Sequence, residues 1–281
     1  MRTALFILMA IFAANGRSEL LENIEYGHAG DYSLRMDAHV PDGAGPFPAV
    51  VIVHGGAWVA GDRKYTVQPL FEPLSGAGFV SFSISYRLAN DIFHNGIGSA
   101  LKLGAAIDDV RQAVAFVKAH ASDYRVDPKR VALIGESAGG QLASMAALKP
   151  GPNGAVRAVV AFYTPSDLVA LARTSNRIPE SVRRAVKGTP FEELLMAGLR
   201  DLSPVNFVRE DSPPFLLIHG TADPVVPFEQ SKAMCEKIRD AGATCDLYSV
   251  KGAGHGIRGW ESASLTTYKK QMIRWLEKEL R

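Results

Sequence analysis

Short apolar runs separated by amphipathic segments are the feature that most constrains the fold of this chain. Six of them follow from Ala49 onward: residues 49–54 (AVVIVH), 79–86 (FVSFSISY), 130–135 (RVALIG), 158–163 (AVVAFY), 214–219 (PFLLIH) and 245–250 (CDLYSV). Continuous apolar runs are typical of strands buried on both faces, which predicts an α/β fold with a mostly parallel sheet flanked by helices. The intervening segments fit, since Ile107, Val110, Val114 and Val117 share one helical face.

Two further segments complete the predicted architecture. Alternating residues at 22–26 and 32–40 flank the turn GHAGD and predict an antiparallel N-terminal hairpin at a sheet edge. With this hairpin the six apolar runs become strands three to eight. Residues 165–207, after the sixth strand, are too long for a tight connection. They predict either a small helical insertion over the carboxyl ends of the strands, where open α/β sheets bind ligands, or a crossover helix with long loops.

The first residues have the pattern of an export signal. Arg2 precedes an apolar run over residues 4–14, which is shorter than the roughly 20 residues that a membrane-spanning helix needs. The small-x-small sequence Ala14-Asn15-Gly16 follows, as at a signal-peptidase site. We therefore predict a signal peptide over residues 1–16, a single domain over residues 17–281, and a secreted or periplasmic protein without stable membrane insertion after cleavage. The alternative is a buried N-terminal helix.

Charge and cysteine content exclude several classes of function. The 281 residues hold 31 Lys plus Arg and 29 Asp plus Glu, without a run of like charge that would bind nucleic acid. Cys235 and Cys245 are too few for a disulfide scaffold and lack zinc-site spacing. After export they could pair, or both could remain small buried hydrophobes. The seven histidines show no HExxH spacing, so we expect no metal and no cofactor.

Two motifs carry the chemistry. GESAG at residues 135–139 lies between an apolar run and a predicted helix that begins at Ala138, as a nucleophile elbow requires, and makes Ser137 the candidate nucleophile. HGGAW at residues 54–58 directly follows the third strand. Adjacent glycines allow backbone N–H groups to face a ligand, so the amides of Gly55, Gly56 and Ala138 form the predicted oxyanion hole.

HGGAW followed by GESAGG resembles the α/β-hydrolase esterases, in particular the bacterial branch of acetyl, acetylxylan and feruloyl esterases related to the hormone-sensitive-lipase-like group. The resemblance covers nearly all of the chain after residue 16 and includes YRLA (residues 86–89), AIDDVRQAVAFV and PPFLLIHGTADPVVP. Residues 90–104 lack the Pro-Glu and Phe-Pro pairs that such esterases often carry there, which leaves the shape of the acyl or alcohol pocket open.

The order of catalytic groups in this family, nucleophile then acid then histidine, implies an acid after the seventh strand and a histidine after the eighth. Asp223 in HGTADPVVP and His255 in GAGHG stand at these places. The resemblance implies that His255 is the general base and Asp223 its orienting acid. The rival acid is Asp167, which fits a helix cap better.

The remaining candidates are interpreted as structural. His54 holds the oxyanion loop, His219 is a buried and hydrogen-bonded histidine, Glu136 makes contacts near the site, and Asp62, Asp108 and Asp109 are caps or solvated residues. Trp58 either walls the acyl pocket, as a weak candidate for substrate binding, or packs against the core.

The leading hypothesis is a secreted serine carboxylesterase, acting as a monomer or homodimer on small-molecule or polysaccharide-linked esters, for example acetyl or feruloyl groups on hemicellulose. One alternative is an arylformamidase-like amidase of the same fold, because such enzymes also use an HGG-x-W loop. The other is a non-catalytic binding protein on the hydrolase scaffold.

Overall fold

The computed structural model describes residues 18–65, 67–89, 103–174, 184, 187–260 and 266–281. Its strands are β1 (Glu19–Ala29), β2 (Tyr32–Val40), β3 (Phe47–Val53), β4 (Val80–Ile84), β5 (Val126–Glu136), β6 (Ala158–Phe162), β7 (Phe215–Gly220) and β8 (Cys245–Val250). They form one eight-stranded sheet in the order β1-β2-β4-β3-β5-β6-β7-β8. The β1–β2 and β2–β4 pairs are antiparallel and all others are parallel, which confirms the predicted sheet and hairpin.

Helices cover both faces of this sheet. Those described are α1 (Phe71–Gly76), α2 (Leu103–Ala119), α3 (Ala138–Leu148), α4 (Leu168–Thr174), α5 (Pro190–Asp201), α6 (Glu229–Asp240) and α7 (Thr267–Glu279). Every residue of β4, β6 and β7 is buried, which is why these strands have no polar alternation. In α2 the predicted face of Ile107, Val110, Val114 and Val117 is buried against the sheet.

The segment between β6 and β7 contains the predicted helical insertion. It consists of α4, α5 and a 3-10 turn at Pro204–Phe207, with residues 175–183 and 185–186 outside the described part. Thr189 caps α5, because its side chain accepts a hydrogen bond from the Glu192 amide, and Pro190 begins the helix. A role of this insertion as a lid stays a prediction.

Two predictions concern the chain ends and the cysteines. The predicted signal peptide, residues 1–16, lies outside the described residues. Within the described part, none of the helices has the length and apolar character needed to cross a bilayer. Cys235 on α6 and Cys245 at the start of β8 form a disulfide, with Cα atoms 5.4 Å apart. Of the two alternatives for the cysteines, the structure therefore shows the bridge.

One structural interpretation is wrong. Asp109, expected as a cap or solvated residue, is only 1% exposed on the inner face of α2. Its carboxylate accepts hydrogen bonds from the Arg87 guanidinium (2.6–3.1 Å) and from the Arg87 backbone amide (2.9 Å). The neighbouring Asp108 is exposed, as expected. The sequence alone does not show which of the two aspartates is buried. A buried carboxylate requires a charged or hydrogen-bonding partner, and here that partner, Arg87, comes from another segment.

Candidate active site

Ser137 lies at the sharp turn between β5 and α3. Its backbone has φ 51° and ψ −120°, a conformation uncommon for a residue with a side chain. The flanking glycines allow the close approach this turn requires. A Cβ on Gly135 would lie 2.3 Å from the Gly139 carbonyl oxygen, and one on Gly139 would lie 2.2 Å from the Val53 oxygen. Backbone packing therefore explains the glycine spacing of the motif and presents Ser137 at the carboxyl edge of the sheet.

Three loops bring Ser137, His255 and Asp223 into one hydrogen-bonded chain. His255 Nε2 lies 2.9 Å from Ser137 Oγ, and His255 Nδ1 lies 2.7 Å from Asp223 Oδ2. The loops follow β5, β7 and β8, whose carboxyl ends share one edge of the parallel sheet. The rival acid Asp167 is not part of this chain, since its side chain accepts from the Ala170 amide at 2.9 Å at the start of α4.

Asp223 is held as an ionised carboxylate. Its side chain is fully buried, and Oδ1 accepts from the amides of Val225 (2.8 Å) and Val226 (3.0 Å). Burial by itself raises the pKa of Asp223. Hydrogen bonds from His219, from His255 and from the two amides outweigh burial and hold this pKa well below the ordinary range.

His219 is a second histidine beside the acid. Its Nε2 lies 3.0 Å from the Val226 carbonyl oxygen and 3.5 Å from Asp223 Oδ2, while Nδ1 lies 2.7 Å from Ser231 Oγ. Because Nε2 faces two acceptors, we assign the proton to it, and Nδ1 then accepts from the Ser231 hydroxyl. The ring is buried and hydrogen-bonded on both nitrogens. It therefore fixes the turn that carries Asp223.

The loop after β3 presents backbone donors beside Ser137. A Cβ on Gly55 would lie 3.3 Å from Ser137 Cβ, so the two segments are in contact. The Gly55 amide, however, donates to Glu136 Oε1 at 3.2 Å. This differs from the prediction that Gly55 contributes to the oxyanion hole, because its donor is already engaged.

The next two amides are oriented by the same loop. The Gly55 carbonyl accepts from His54 Nδ1 (2.7 Å), so the Gly56 N–H on that trans peptide points away from the imidazole. The Gly56 carbonyl accepts from the Val59 and Ala60 amides, so the Ala57 N–H points out of the turn. Within the described residues, the amides of Gly56, Ala57 and Ala138 have no hydrogen-bond acceptor. The Ala57 amide was not among the donors that the HGGAW motif predicted.

The buried His54 side chain packs beneath the loop that follows β3. The ring is 1% exposed and stacks on Tyr86 at 4.4 Å between centroids, and the Tyr86 hydroxyl donates to the His54 carbonyl at 3.0 Å. Burial lowers the pKa of His54, against the smaller effects of the Gly55 carbonyl and Asp62. The neutral ring thus has the loop-holding contact that was expected of it.

Glu136 joins the three loops of the site. Besides accepting from Gly55, its carboxylate accepts a hydrogen bond from the buried Tyr163 hydroxyl, which itself accepts from the Ile257 amide at 3.0 Å. Burial and the Glu136 charge raise the pKa of Tyr163 well above its usual value, so the phenol stays protonated. The Tyr163 ring also lies 4.5 Å from the His255 ring. This network links the elbow to the oxyanion loop and the histidine loop.

Trp58 is half-buried and packs against the core, and its indole N–H donates to Gln141 Oε1 at 2.9 Å. Among the described residues, no group of three or more His, Cys, Asp or Glu side chains is arranged to hold a metal ion.

A serine hydroxyl, an imidazole and a buried carboxylate form a hydrogen-bonded series at the carboxyl edge of this sheet, next to the loop after β3. This arrangement places the protein in the α/β-hydrolase class. The family profile BD-FAE matches residues 36–238. The chain therefore belongs to the BD-FAE family.

Named relatives agree with this assignment. The probable carboxylic ester hydrolase LipM of Mycobacterium tuberculosis (strain ATCC 25618 / H37Rv) is 31% identical over 237 residues, which are 80% of this chain and 52% of LipM. The chain spans about half the length of LipM and of two further curated relatives from the same organism, the esterases LipQ and LipC.

Two solved structures are similar over almost their whole length. A truncated carbohydrate esterase from gut microbiota is 28% identical with a TM-score of 0.77, over 95% of this chain and 98% of that one. The propionate-bound esterase Est2 of the planctomycete Thermogutta terrifontis is 26% identical with a TM-score of 0.72, over 92% of each chain.

Proposed function

We propose that this protein is a serine carboxylesterase that hydrolyses short-chain or aromatic acyl esters through an acyl-enzyme intermediate. The observation that carries the proposal is the continuous chain from Ser137 Oγ through His255 to the buried Asp223 carboxylate. A lone serine hydroxyl is a weak nucleophile, and an imidazole oriented by a carboxylate is the arrangement that activates it.

The proposed reaction uses each group in turn. Ser137 Oγ attacks the ester carbonyl carbon while its proton moves to His255 Nε2. The resulting imidazolium is stabilised by Asp223, which is ionised because its pKa is depressed. The C–O bond to the alcohol breaks, and the alcohol leaves with the proton from His255. Water, deprotonated by the same nitrogen, then attacks the acyl-enzyme and releases the carboxylic acid and Ser137.

The amides of Gly56, Ala57 and Ala138 are the proposed oxyanion donors. In the described part of the chain these amides have no acceptor, and they lie on the two segments that meet at Ser137. The N–H of Ala138 begins α3, where the helix dipole favours negative charge. Gly55 has a different proposed part, in which its amide fixes the loop on Glu136.

Acetyl or feruloyl esters, for instance on hemicellulose, are the proposed substrates. A carbohydrate esterase among the similar structures and the propionate- and butyrate-bound forms of Est2 support small acyl groups and a sugar-linked alcohol. The near balance of 31 basic and 29 acidic residues suits a neutral substrate.

A secreted or periplasmic location is part of the proposal. The leader-like residues 1–16 and the Cys235–Cys245 bridge support it, because disulfides persist in oxidising compartments. Sequencing the N-terminus of exported protein checks it: we expect a start near Arg17, and an unprocessed Met1 would contradict it.

The activity is tested with p-nitrophenyl acetate, butyrate and octanoate, methyl ferulate, acetylated xylan and N-formylkynurenine, using wild type and Ser137→Ala. We expect turnover of the acetyl or feruloyl esters, reduced about 10⁶-fold in the variant. Full activity in Ser137→Ala would overturn the assignment of the nucleophile. Preference for N-formylkynurenine would instead identify an amidase, and absence of all turnover a binding protein.

A further inference from the structure

Gln141 is a fully buried polar residue in the first turn of α3, four residues after Ser137. Its side-chain amide uses both ends in contacts to other segments. Oε1 accepts from the indole N–H of Trp58 at 2.9 Å, and Nε2 donates to the carbonyl oxygen of Leu202 at 2.7 Å. Buried polar atoms are costly unless they are paired, so this amide favours one arrangement of its two partners.

Trp58 belongs to a strained part of the oxyanion loop. Ala57 and Trp58 have φ values of 52° and 63°, two successive side-chain-bearing residues in the left-handed region. Such backbone persists only where the surrounding structure holds it. Besides the indole bond to Gln141, the Trp58 carbonyl accepts from the Ala89 amide at 2.6 Å. Because Trp58 directly follows Ala57, its two hydrogen bonds restrain the backbone next to the Ala57 N–H.

Leu202 connects the same amide to the helical insertion. It is the C-cap residue directly after α5, and its carbonyl is one of those that a helix end leaves without an internal partner. Gln141 supplies the donor. One side chain thus bridges the nucleophile helix, the oxyanion loop and the end of the insertion.

We propose that Gln141 is a positioning residue that holds the oxyanion loop through Trp58 and ties this loop to the end of the insertion at Leu202. The inference rests on the proposed esterase function. Gln141 acts through Trp58 and makes no contact with the reacting atoms in this scheme. The consequence is a role in stabilising the transition state, with little effect on substrate binding.

Two variants remove the contact from opposite sides. Gln141→Met keeps the length of the side chain but removes both hydrogen bonds. Trp58→Phe removes the indole donor and keeps a smaller aromatic ring at this position. We expect each to lower kcat on p-nitrophenyl acetate about 10- to 100-fold, since small misplacement of catalytic donors has effects of this size. KM should change less than about threefold, because the interaction develops in the transition state. The kcat of the double variant should be close to that of the single variant with the lower kcat, because both changes remove the same Trp58–Gln141 hydrogen bond.

Ser144→Ala is the matched control. Its hydroxyl is buried on the same helix and donates to the Gly140 carbonyl at 2.7 Å, within α3. This change removes a buried hydrogen bond without touching the loop. We expect kcat to stay within about twofold of wild type, as for a bond remote from the transition state.

An activity-independent readout separates this inference from the proposed function. The Trp58 indole N–H resonance, assigned by its loss in Trp58→Phe, should move and exchange faster with solvent in Gln141→Met. An unchanged kcat in Gln141→Met, or an unchanged indole resonance, would overturn the role of Gln141 while leaving the esterase assignment intact. An equal loss of kcat in Ser144→Ala would also overturn it, because the effect would then be general to α3.

Absence of turnover in wild type would overturn the proposed function, and the indole resonance would still test the contact between Trp58 and Gln141. If Gln141→Met does not fold, Trp58→Phe provides the kinetic comparison.

Discussion

Asp223 shows how one buried side chain links the site to stability. Its folded-state pKa is depressed, against burial, by hydrogen bonds from two histidines and two amides. A carboxyl group with a lowered folded pKa stabilises the native state at any pH above its unfolded value. That contribution is lost as the pH falls from the ordinary value of 3.8 toward the lower folded pKa.

We therefore expect the difference in free energy of unfolding between wild type and Asp223→Asn to shrink in favour of the variant below about pH 4, where the carboxyl group begins to lose its contribution. Urea unfolding of both proteins at a series of pH values measures this difference. A difference that is the same at every pH would contradict the depressed pKa.

For individual residues, the sequence predicts the positions of the candidate catalytic side chains but not which backbone amides are available beside them. Ser137, Asp223 and His255 could be placed because each follows a recognisable strand, and the structure brings the three together. The engagement of the Gly55 amide depends on Glu136, 81 residues away in the chain. The HGGAW motif indicates a backbone segment that can turn its amides toward a ligand. Which of these amides is available depends on tertiary contacts such as the one between Gly55 and Glu136.

At the scale of elements, the buried Arg87–Asp109 pair attaches α2 to the segment after β4. We expect Asp109→Asn to lower the free energy of unfolding by about 2 to 3 kcal/mol, because the Arg87 side chain, 27% exposed, loses a charged partner. Asp108→Asn is the matched control on the next residue. Its carboxylate is 66% exposed and pairs with Arg111 one turn away, so we expect a loss below about 0.5 kcal/mol. Equal losses in urea unfolding would contradict the assignment.

Elements with a strong burial pattern were the ones that could be predicted. The strands from β3 to β7 lie inside the sheet, and their continuous apolar runs follow from burial on both faces. The sequence of the insertion allows two interpretations because no residue of α5 is buried. The apolar periodicity of α5 predicts a helix, but without a buried contact it does not indicate where on the fold that helix lies.

At the scale of the whole molecule, the Cys235–Cys245 disulfide links the edge strand β8 covalently to the preceding helix α6. The two cysteines are ten residues apart and both are buried. Closing a loop of this length in the unfolded chain stabilises the folded state by about 3 kcal/mol in the chain-entropy description. Since Asp223 and His255 come from the loops at either end of the α6–β8 unit, the bridge stabilises the part of the molecule that carries both.

We therefore expect the double substitution Cys235→Ala with Cys245→Ala to lower the free energy of unfolding by about 3 kcal/mol, while the side-chain contacts of the site are retained. Urea unfolding of wild type with and without dithiothreitol, beside the double variant, measures the effect. Reductant should shift the wild-type midpoint toward that of the variant and leave the variant unchanged. Wild type whose midpoint does not respond to reductant and equals that of the variant would show that the bridge adds no stability. Protein recovered from an oxidising compartment should carry no free thiols, whereas protein made in a reducing cytosol should carry two.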